Sequence, residues 1–302
     1  MPDAPGRPTS VAVVPCYNED RNPANLVSVL LSVPDLHVHF LDDASDGASS
    51  AVLRDLARSS DRVTVERNET RQGKAASLVG AMRRLDPWVQ RLLLVDCDVQ
   101  LSERALPAVL DELQRSDLVL ANPKALARAG SFWERGAVFS ANRHDRLRDA
   151  LVDRYPARCA NGRLFGMSRR LAGAIAESDV PRHTEDSHFM LVCLSRDFRY
   201  AYRRDAVLHY RAPQTLGDYL RQSNRFSEGR ALLRERWPEE MLERYYDLAG
   251  ADVARTFAAQ AFADPLGACA FLTMLVAKAV QRPGSRTQGA AWAVAGSTKA
   301  LQ

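Results

Sequence analysis

Residues 92–98 read L-L-L-V-D-C-D, so four apolar side chains run directly into two carboxylates that stand one residue apart. A short run that is apolar at every position is typical of a parallel strand buried on both faces of a sheet. Ligands of parallel sheets bind beyond the carboxyl ends of the strands. We therefore expect Asp96 and Asp98 to lie at the ligand-binding edge of such a sheet.

The first hundred residues repeat this strand signal and alternate it with helical patterns. The first helix opens at Asn22, which we place at the N-cap, with Pro23 at the first helical position. Such alternation predicts an α/β fold with a mainly parallel sheet and right-handed crossovers. The predicted strands cover residues 11–14, 38–41, 62–66 and 92–95, and the predicted helices cover residues 22–32, 48–58 and 74–85.

The rest of the chain is less regular, and helical patterns dominate its end. We predict a helix after Thr184 and a helical region from residue 215 to residue 280. Between these parts, we predict strands at residues 118–121, 199–202 and 206–210, a strand or turn at 161–167, and an arginine-rich helix at 132–154.

Composition excludes several classes of protein. The 302 residues are 46% hydrophobic and 26% charged, which excludes a disordered, collagenous or coiled-coil chain. The five cysteines include no C-x-x-C pair, so we expect no disulfide framework and a cytoplasmic location. The net charge of +4 is too small to indicate a nucleic-acid partner.

Two segments leave contact with a membrane surface open. Residues 265–277 form the longest run of low charge, which as a helix would reach about 20 Å and is too short to span a bilayer. Residues 196–236 hold ten arginines and five acidic residues. We expect no spanning helix, while a peripheral contact with the inner membrane face and an ordinary solvated surface both fit these segments.

Three acidic motifs have two interpretations each. Asp96 and Asp98 can share Mg²⁺, or can be ordinary loop carboxylates. Asp43 can accept a hydrogen bond from a base or a ribose, or can belong to a turn. Asp186 can take a proton from a hydroxyl group, or can favour the helix dipole behind an N-cap at Thr184.

Two further motifs carry groups suited to phosphate. Gln222 and Arg225 lie three residues apart and so share a helix face, where an amide and a guanidinium group suit a diphosphate or a sugar hydroxyl. Arg71 and Lys74 flank a glycine before a helix, where a phosphate or a base could approach the helix N-terminus. Neither pattern is specific by itself, and the G-x-x-x-x-G-K-S/T spacing of a P-loop is missing.

Together and in this order, the motifs resemble those of family 2 glycosyltransferases, which have the GT-A fold. The resemblance implies a Rossmann-like α/β fold with a mainly parallel sheet and a helical C-terminal region. It also implies an enzyme that moves one sugar from a nucleotide-diphosphate sugar, UDP-linked by family habit, to an acceptor hydroxyl. The matching motifs are V-V-P-C-Y-N-E at 13–19, L-D-D-A-S-D at 41–46, G-K at 73–74, L-V-D-C-D at 94–98, T-E-D at 184–186 and Q-S-N-R-F at 222–226.

The resemblance implies a role for each matching residue. Asp98 would bind Mg²⁺ or Mn²⁺ on the donor diphosphate, Asp96 would face the ribose or the metal, and Asp186 would be the general base of an inverting transfer. His209 would either add a contact to the metal or the diphosphate, or be structural. The donor would be bound by Pro15, Tyr17, Asn18, Glu19, Asp43, Arg71, Lys74, Asp96, Gln222 and Arg225.

The sequence departs from the family pattern at Phe226, where processive members carry tryptophan, and this favours transfer of a single sugar. Two other functions fit parts of the pattern. One is a non-catalytic nucleotide-sugar-binding protein, and the other is a sugar nucleotidyltransferase, whose Gly-rich loop after the first strand is missing here. The acceptor stays open between a lipid-linked or cell-envelope glycan and a soluble secondary metabolite.

We divide the chain into four parts on this basis. Residues 1–10 are expected to be a disordered N-terminus and residues 11–212 a GT-A catalytic domain. Residues 213–282 are expected to form the helical region, with its open membrane contact, and residues 283–302 a loosely ordered tail.

Overall fold

The computed structural model describes residues 9–126 and 130–280 and shows a mixed α/β fold built on one eight-stranded sheet. The strands are β1 (Ser10–Cys16), β2 (Leu36–Asp42), β3 (Val63–Arg67), β4 (Arg91–Val95), β5 (Val99–Leu101), β6 (Leu118–Ala125), β7 (Leu164–Ser168) and β8 (Tyr200–Tyr210). The helices are α1 (Asn22–Leu31), α2 (Gly47–Ser59), α3 (Lys74–Arg83), α4 (Ala105–Glu112), α5 (Phe132–Leu151), α6 (Pro156–Cys159), α7 (Arg169–Ala176), α8 (Glu185–Ser195), α9 (Leu216–Arg236), α10 (Glu239–Tyr245), α11 (Gly250–Ala263) and α12 (Pro265–Val280).

The strand order in the sheet is β3-β2-β1-β4-β7-β6-β8-β5. The pairs β3–β2, β2–β1, β1–β4 and β6–β8 are parallel, whereas β4–β7, β7–β6 and β8–β5 are antiparallel. The fold class that the sequence predicted is confirmed. Because β1, β2 and β4 are parallel neighbours, their carboxyl ends meet at one edge of the sheet.

Two apolar clusters bury the two faces of the sheet. In β4, Leu92 and Leu94 face the cluster that contains α3, α7 and α8. Leu93 and Val95 face the opposite cluster, which contains α1 and α4. Successive side chains of a strand point to opposite faces, so burial on both sides explains why residues 92–95 are apolar at every position.

Some predicted elements differ from those observed. Asn22 is not the N-cap of α1, because Arg21 occupies that position. The Asn22 amide instead donates a hydrogen bond to the buried Glu19 carboxylate at 2.9 Å, a tertiary contact that local capping preference does not predict. The predicted strands at 199–202 and 206–210 are one strand, β8, which shifts its register with β6 between Leu120 and Asn122.

The C-terminal helices pack on the body of the protein through α5. Phe271 and Met274 of α12 form an apolar cluster with Ala137 and Phe139 of α5. The helical region predicted from residue 215 to residue 280 is therefore present and attached. No helix within the described ranges is both long enough and apolar enough to cross a membrane.

The division of the chain into four parts stays a prediction. Residues 1–8 and 281–302 lie outside the described residues, and with them most of the predicted disordered N-terminus and the predicted tail. The boundary near residue 212 stays a prediction.

Candidate active site

Three loops meet where β1, β2 and β4 end. β1 pairs with both β2 and β4, so the residues that follow Cys16, Asp42 and Val95 come together. The Asp43 backbone N–H donates to the Cys16 carbonyl oxygen at 2.9 Å, which fastens the second loop to the first. The motifs at 15–19, 42–46 and 96–98 therefore line one edge of the sheet, as expected from the sequence.

The Asp43 carboxylate is buried and fixes the loop before α3. Its Oδ1 accepts hydrogen bonds from the Gln72 backbone N–H at 2.8 Å and the Asn68 amide at 2.9 Å. Its Oδ2 accepts one from the Gly73 N–H at 2.8 Å, and Gly73 has a φ of 91° that favours glycine. A carboxylate offers about four acceptor positions, so Oδ2 retains capacity for a further donor.

The loop after β1 brings a ring and a guanidinium group together. Arg71 Cζ lies 3.7 Å from the centroid of the Tyr17 ring, a cation–π contact. The Asn18 carboxamide oxygen accepts a hydrogen bond from the Asp46 backbone N–H at 2.8 Å. The Asn18 backbone N–H donates to the Ser45 hydroxyl at 3.0 Å. Asn18 therefore holds the second loop, while Tyr17 and Arg71 form a stacked pair beside it.

Pro15 and Glu19 mark the two ends of this loop. Pro15 pairs with Leu41 in the ladder between β1 and β2. Glu19 is buried, and its Oε2 accepts the hydrogen bond from Asn22 at the start of α1. The loop is thus attached to the sheet at one end and to a helix at the other.

Lys74, the first residue of α3, is the buried charge at the centre of the site. Its Nζ lies 2.6 Å from Asp96 Oδ1 and 3.2 Å from Glu185 Oε1, and donates to the Gly162 carbonyl oxygen at 3.0 Å. Burial alone would lower the pKa of Lys74, but the charges of Asp96 and Glu185 outweigh it and raise that pKa above its usual value. The protonated lysine therefore ties the loop after β4 to the start of α8.

The Asp98 carboxyl group is half-buried and feels the charge of Asp96. Burial and the negative charge of Asp96 raise the pKa of Asp98, and the positive charges of Arg163 and Lys74 partly offset them. Two carboxylates held this close favour a shared cation, and hard divalent ions prefer such oxygen ligands. Asp96 and Asp98 are the residues of this edge that could hold a metal ion.

Asp186 lies in the first turn of α8 and contacts the loop before β7. Its Oδ2 accepts a hydrogen bond from the Gly162 N–H at 3.2 Å, and its Oδ1 accepts one from the Ser187 N–H at 2.8 Å. Burial and the nearby charge of Glu185 raise the pKa of Asp186 to about 6, although both hydrogen bonds and Lys74 act in the opposite direction. A carboxylate with this pKa can accept a proton near neutral pH.

The start of α8 is held in place by α9. Thr184 occupies the N-cap position with a φ of 61°, and its hydroxyl donates to the Gly229 carbonyl oxygen of α9 at 3.1 Å. A Cβ at Gly229 would lie 2.4 Å from Thr184 Cγ2, so only glycine allows this approach. The predicted N-cap at Thr184 is found, and its side chain serves the contact between two helices.

This contact brings Arg225 and Gln222 toward the carboxylates. Burial lowers the pKa of Arg225, and the charges of Glu185, Asp96 and Asp98 act in the opposite direction, which places the guanidinium group near all three. Gln222 precedes Arg225 by three residues and so lies beside it on the same helix face. The Arg225 guanidinium group therefore borders the carboxylate cluster, and Gln222 lies about one turn before it on α9.

His209 lies in β8, opposite Gln100 of β5. Within the described ranges, its ring forms no hydrogen bond or ion pair with Asp96 or Asp98. Residues 9–126 and 130–280 also contain no group of three His, Cys, Asp or Glu side chains placed to hold a metal ion. The structure thus gives the proposed metal contact of His209 no support.

Sequence reasoning assigned no role to Glu185, Gly162 or Arg163. The last two reach the site because β7 pairs antiparallel with β4, and the Arg163 carbonyl oxygen accepts a hydrogen bond from the Asp96 N–H at 2.9 Å. A Cβ at Gly162 would lie 3.2 Å from Lys74 Nζ, so this glycine is part of the packed site. The T-E-D motif could have indicated Glu185, whereas the pairing that places Arg163 has no local sequence signal.

Comparison with solved structures shows the same fold in known transferases. The protein is similar to the mannosyltransferase PcManGT from Pyrobaculum calidifontis, solved with GDP-Man and Mn²⁺, at 21% identity over 94% of this chain and 84% of that chain, with a TM-score of 0.58. It is also similar to S. aureus TarS 1–349, at 16% identity over 89% of this chain and 72% of that chain, with a TM-score of 0.52.

The family comparison is more specific than these distant structural similarities. No curated protein matches the sequence. Residues 11–175 match the model of glycosyl transferase family 2, and this range is more than half of the 302 residues. The carboxylate pair after β4, the carboxylate at the start of α8 and the loops of the sheet edge fall within or beside that range, and the chain belongs to glycosyl transferase family 2.

Proposed function

We propose that this glycosyltransferase inverts configuration and moves one sugar from a nucleotide-diphosphate sugar to an acceptor hydroxyl. The contact of Lys74 with Asp96 at 2.6 Å and with Glu185 at 3.2 Å is the observation that supports this most directly. It joins the carboxylate pair at the sheet edge to the helix start that carries Asp186. A candidate metal site and a candidate base thereby share one site.

The loops of the sheet edge support binding of the donor nucleotide. The Tyr17 ring and the Arg71 guanidinium group can stack on a base, and Asp43 Oδ2 can accept a hydrogen bond from a base N–H or a ribose hydroxyl. Family habit favours UDP, whereas PcManGT was solved with GDP-Man. We keep UDP as the proposed nucleotide and GDP as the one to test against it. The contacts of Pro15, Asn18 and Glu19 fix the conformation of the loop after β1, which carries Tyr17.

Asp96 and Asp98 fit a divalent cation, Mg²⁺ or Mn²⁺. Burial and then the negative charge of Asp96 raise the pKa of Asp98, and a cation beside both carboxylates would remove the repulsion between them. Such ions take one or two carboxylates and complete their shell with water and substrate phosphate oxygens. When bound, the ion would neutralise charge on the donor diphosphate. PcManGT, solved with Mn²⁺, supports the same class of ion.

The chain's own residues would move the proton and stabilise the leaving group. The acceptor oxygen attacks the anomeric carbon while the bond from that carbon to the diphosphate oxygen breaks, and the hydroxyl proton passes to Asp186. The diphosphate leaves with the electron pair of the broken bond, and Arg225 and Gln222 stabilise its charge. Attack on the face opposite the leaving group inverts the anomeric configuration.

A panel of nucleotide sugars tests this proposal. Thermal unfolding is measured with Mn²⁺ and UDP- or GDP-linked sugars, and a donor at about 100 times its Kd should add about 2.7 kcal/mol to the free energy of unfolding. Slow hydrolysis of the same donor without acceptor would separate a transferase from a non-catalytic binding protein. Absence of both effects with every donor would reject the proposal.

Asp98→Asn and a matched control show whether the carboxylate pair is responsible. Asp98→Asn should remove the part of the stabilisation that depends on Mn²⁺. Asp61→Asn makes the same change at an exposed position before β3 and should keep it. Equal Mn²⁺ dependence in both variants would contradict the assignment of Asp98.

We also propose that the acceptor is presented at a membrane surface. Lys278 lies near the end of α12 and donates hydrogen bonds to the Ser223 and Ser227 hydroxyls of α9 at 2.6 Å and 2.9 Å, close to the charge of Arg230 on the same helix. Cations beside an apolar helix face are typical of helices that lie on anionic membranes. This favours a lipid-linked or cell-envelope glycan over a soluble metabolite. The exposed apolar side chains are Phe262 of α11, which is 94% exposed, and Leu266, Leu272, Leu275, Val276 and Val280 of α12.

Flotation with vesicles of phosphatidylcholine, with and without phosphatidylglycerol, tests this contact. The wild-type protein should float with the anionic vesicles, and Val276→Glu should not, because it places a charge on the apolar face. Asn25→Glu adds the same charge at an exposed position of α1 and should still float. A wild-type protein that stays in the aqueous fraction would favour the soluble acceptor.

A further inference from the structure

Three basic side chains gather between α5 and α6 without an acidic partner. Arg143 and His144 are neighbours in α5, and Arg158 lies in the short helix α6, which packs against α5. The charges of Arg158 and Arg143 both act on His144, so the three groups are close together. We call them the basic cluster.

The guanidinium groups of the basic cluster are incompletely paired. Arg143 Cζ lies 5.9 Å from the centroid of the Phe271 ring, and the buried Arg143 Nε has no hydrogen-bond partner among the residues that the structure describes. Arg158 donates to the Tyr246 hydroxyl at 3.1 Å, and its buried Nε likewise lacks a partner within the described ranges. Neither arginine forms an ion pair with a carboxylate in those ranges.

Arg148, also in α5, has an acidic partner that compensates its charge. Its Nη1 lies 3.0 Å from Asp145 Oδ1, and its Nε donates to the Cys159 carbonyl oxygen at 3.1 Å. Arg148 is therefore buried together with a carboxylate that balances its charge. One arginine of α5 thus has a carboxylate partner, whereas Arg143 and Arg158 have none among the described residues.

Among the described residues, no carboxylate lies near enough to balance the positive charge of the basic cluster. Burial, and then the charges of Arg158, Arg143 and Arg148, lower the pKa of His144 far below its usual value. Burial and the charge of Arg158 lower the pKa of Arg143. No carboxylate of the described residues is among the groups that act on either side chain. Buried charge without a partner is costly, and an anion would relieve this cost.

The basic cluster is connected to the proposed base through α6 and the loop that follows it. Arg158 precedes Gly162 by four residues, so their Cα atoms are at most about 14 Å apart. The Gly162 N–H donates to the Asp186 carboxylate, and α6 packs against α8, which carries Asp186. Tyr219 of α9 acts on Arg143, so the helix that bears Gln222 also borders the cluster.

The basic cluster is separate from the groups that surround the candidate metal site. The charged side chains that act most strongly on Asp98 are Asp96, Arg163 and Lys74. Arg143 and Arg158 act instead on His144. An anion bound at the cluster would therefore be a second one, distinct from the donor diphosphate.

We propose that Arg143, His144 and Arg158 form a subsite for a phosphate or diphosphate group carried by the acceptor. This proposal rests on the proposed function, since it assigns the acceptor of the same reaction. Guanidinium groups bind phosphate oxygens through two parallel hydrogen bonds, and neither Arg143 nor Arg158 is paired with a carboxylate of the described residues. The subsite would hold the acceptor near Asp186 by its anionic group.

Calorimetric titration with inorganic pyrophosphate tests the subsite without turnover. A chelator is present, so that binding through a metal ion at Asp98 is removed. Arg143→Gln and Arg158→Gln should each weaken pyrophosphate binding by about tenfold, the value expected for loss of a charged hydrogen bond. Arg54→Gln removes the same charge from an exposed position of α2 and should bind like the wild type.

Two further variants make the result unambiguous. Arg143→Lys retains the charge and should recover part of the affinity that Arg143→Gln loses. Arg225→Gln reports binding at the donor diphosphate position. If Arg225→Gln weakens binding while Arg143→Gln and Arg158→Gln bind like the wild type, the proposal is overturned.

Vesicles distinguish a lipid phosphate from a soluble one. Phosphatidylcholine vesicles with and without phosphatidic acid are floated with the wild type, Arg143→Gln and Arg54→Gln. Selective loss of the phosphatidic-acid effect in Arg143→Gln would support a lipid headgroup as the source, and a loss confined to pyrophosphate would support a soluble phosphorylated acceptor. Unchanged binding of both probes would overturn the subsite, whereas failure of donor hydrolysis would affect only the proposed function.

Discussion

The sheet edge and the segment from α5 to α9 differ in how far their basic side chains are paired with carboxylates. At the sheet edge, Lys74 contacts two carboxylates, and Arg67 pairs with the buried Asp42. Between α5 and α9, Arg143 and Arg158 have no carboxylate partner among the described residues. The first region is thus balanced by the chain itself, whereas the second has excess positive charge that a ligand could neutralise.

The difference indicates how the two regions are used. A balanced cluster holds its shape before any ligand arrives, which suits the positioning of a metal ion and a nucleotide. An unbalanced cluster has a net field, which suits attraction of an anionic partner. If the two regions differ in this way, substitutions at the sheet edge, in α9 and at Asp186 should have distinguishable effects.

The largest effect is expected at Asp186, where the two regions meet. Asp186→Asn removes the proton acceptor but keeps the size of the side chain, so turnover should fall at least about a hundredfold while donor affinity stays near that of the wild type. Steady-state rates and calorimetry measure the two quantities. Asp61→Asn is the exposed control, and wild-type turnover in Asp186→Asn would exclude the assigned role.

Lys74→Met should show that the stability of the sheet edge depends on the pairing of Lys74 with Asp96 and Glu185. The substitution leaves Asp96 and Glu185 without their shared cation, so the free energy of unfolding should fall by about 3 kcal/mol. Lys124→Met is the matched control, because Lys124 lies 3.6 Å from Asp149 and is partly exposed; its loss should cost less than about 1 kcal/mol. Urea unfolding measures both, and equal losses would contradict the importance of burial.

Gly229→Ala should loosen the contact that carries Arg225 to the carboxylates. The added methyl group would lie 2.4 Å from Thr184 Cγ2, and the expected loss is about 2 kcal/mol with weaker donor binding. Gly217→Ala, on the same helix, has its nearest contact at 3.7 Å and should be neutral or stabilising. Thermal unfolding distinguishes them, and a stable Gly229→Ala would mean that α9 can shift without cost.

The smallest effect is the pH dependence of turnover. The pKa of Asp186 is raised to about 6, and the residue accepts a proton only when it is ionised. Donor hydrolysis should therefore fall about tenfold for each pH unit below 6 and level off above that value. A rate that stays constant as the pH falls through 6 would contradict this role, and the residual rate of Asp186→Asn should lack the slope.

The sheet edge could be predicted well because its signals are local. Three of the first four predicted strands end in a motif, and parallel strands bring those ends together, so the loops that carry Tyr17, Asp43 and Asp96 lie at one edge of the sheet as expected. Lys74 was assigned to the donor, and the structure adds its contacts with Asp96 and Glu185. Local preference was less reliable for Asn22, because the buried Glu19 carboxylate binds its amide.

The region from α5 to α9 could be predicted only as a set of elements. The sequence indicated an arginine-rich helix, but not that Arg148 is paired while Arg143 is not. Arg163 and Gly162 were missed because they approach the site through the antiparallel pairing of β7 with β4. That pairing joins segments far apart in the chain and has no periodic signature.

Local pattern accounts for the alternating strands and helices, for the doubly buried β4, and for the acidic residues that follow it. These features depend on neighbours within a few residues, which side-chain periodicity and turn preferences record. The three contacts of Lys74, the seating of α9 on Thr184 and the unbalanced basic cluster depend on packing between distant segments. Burial sets the energy of each such contact, and burial exists only once the chain has folded.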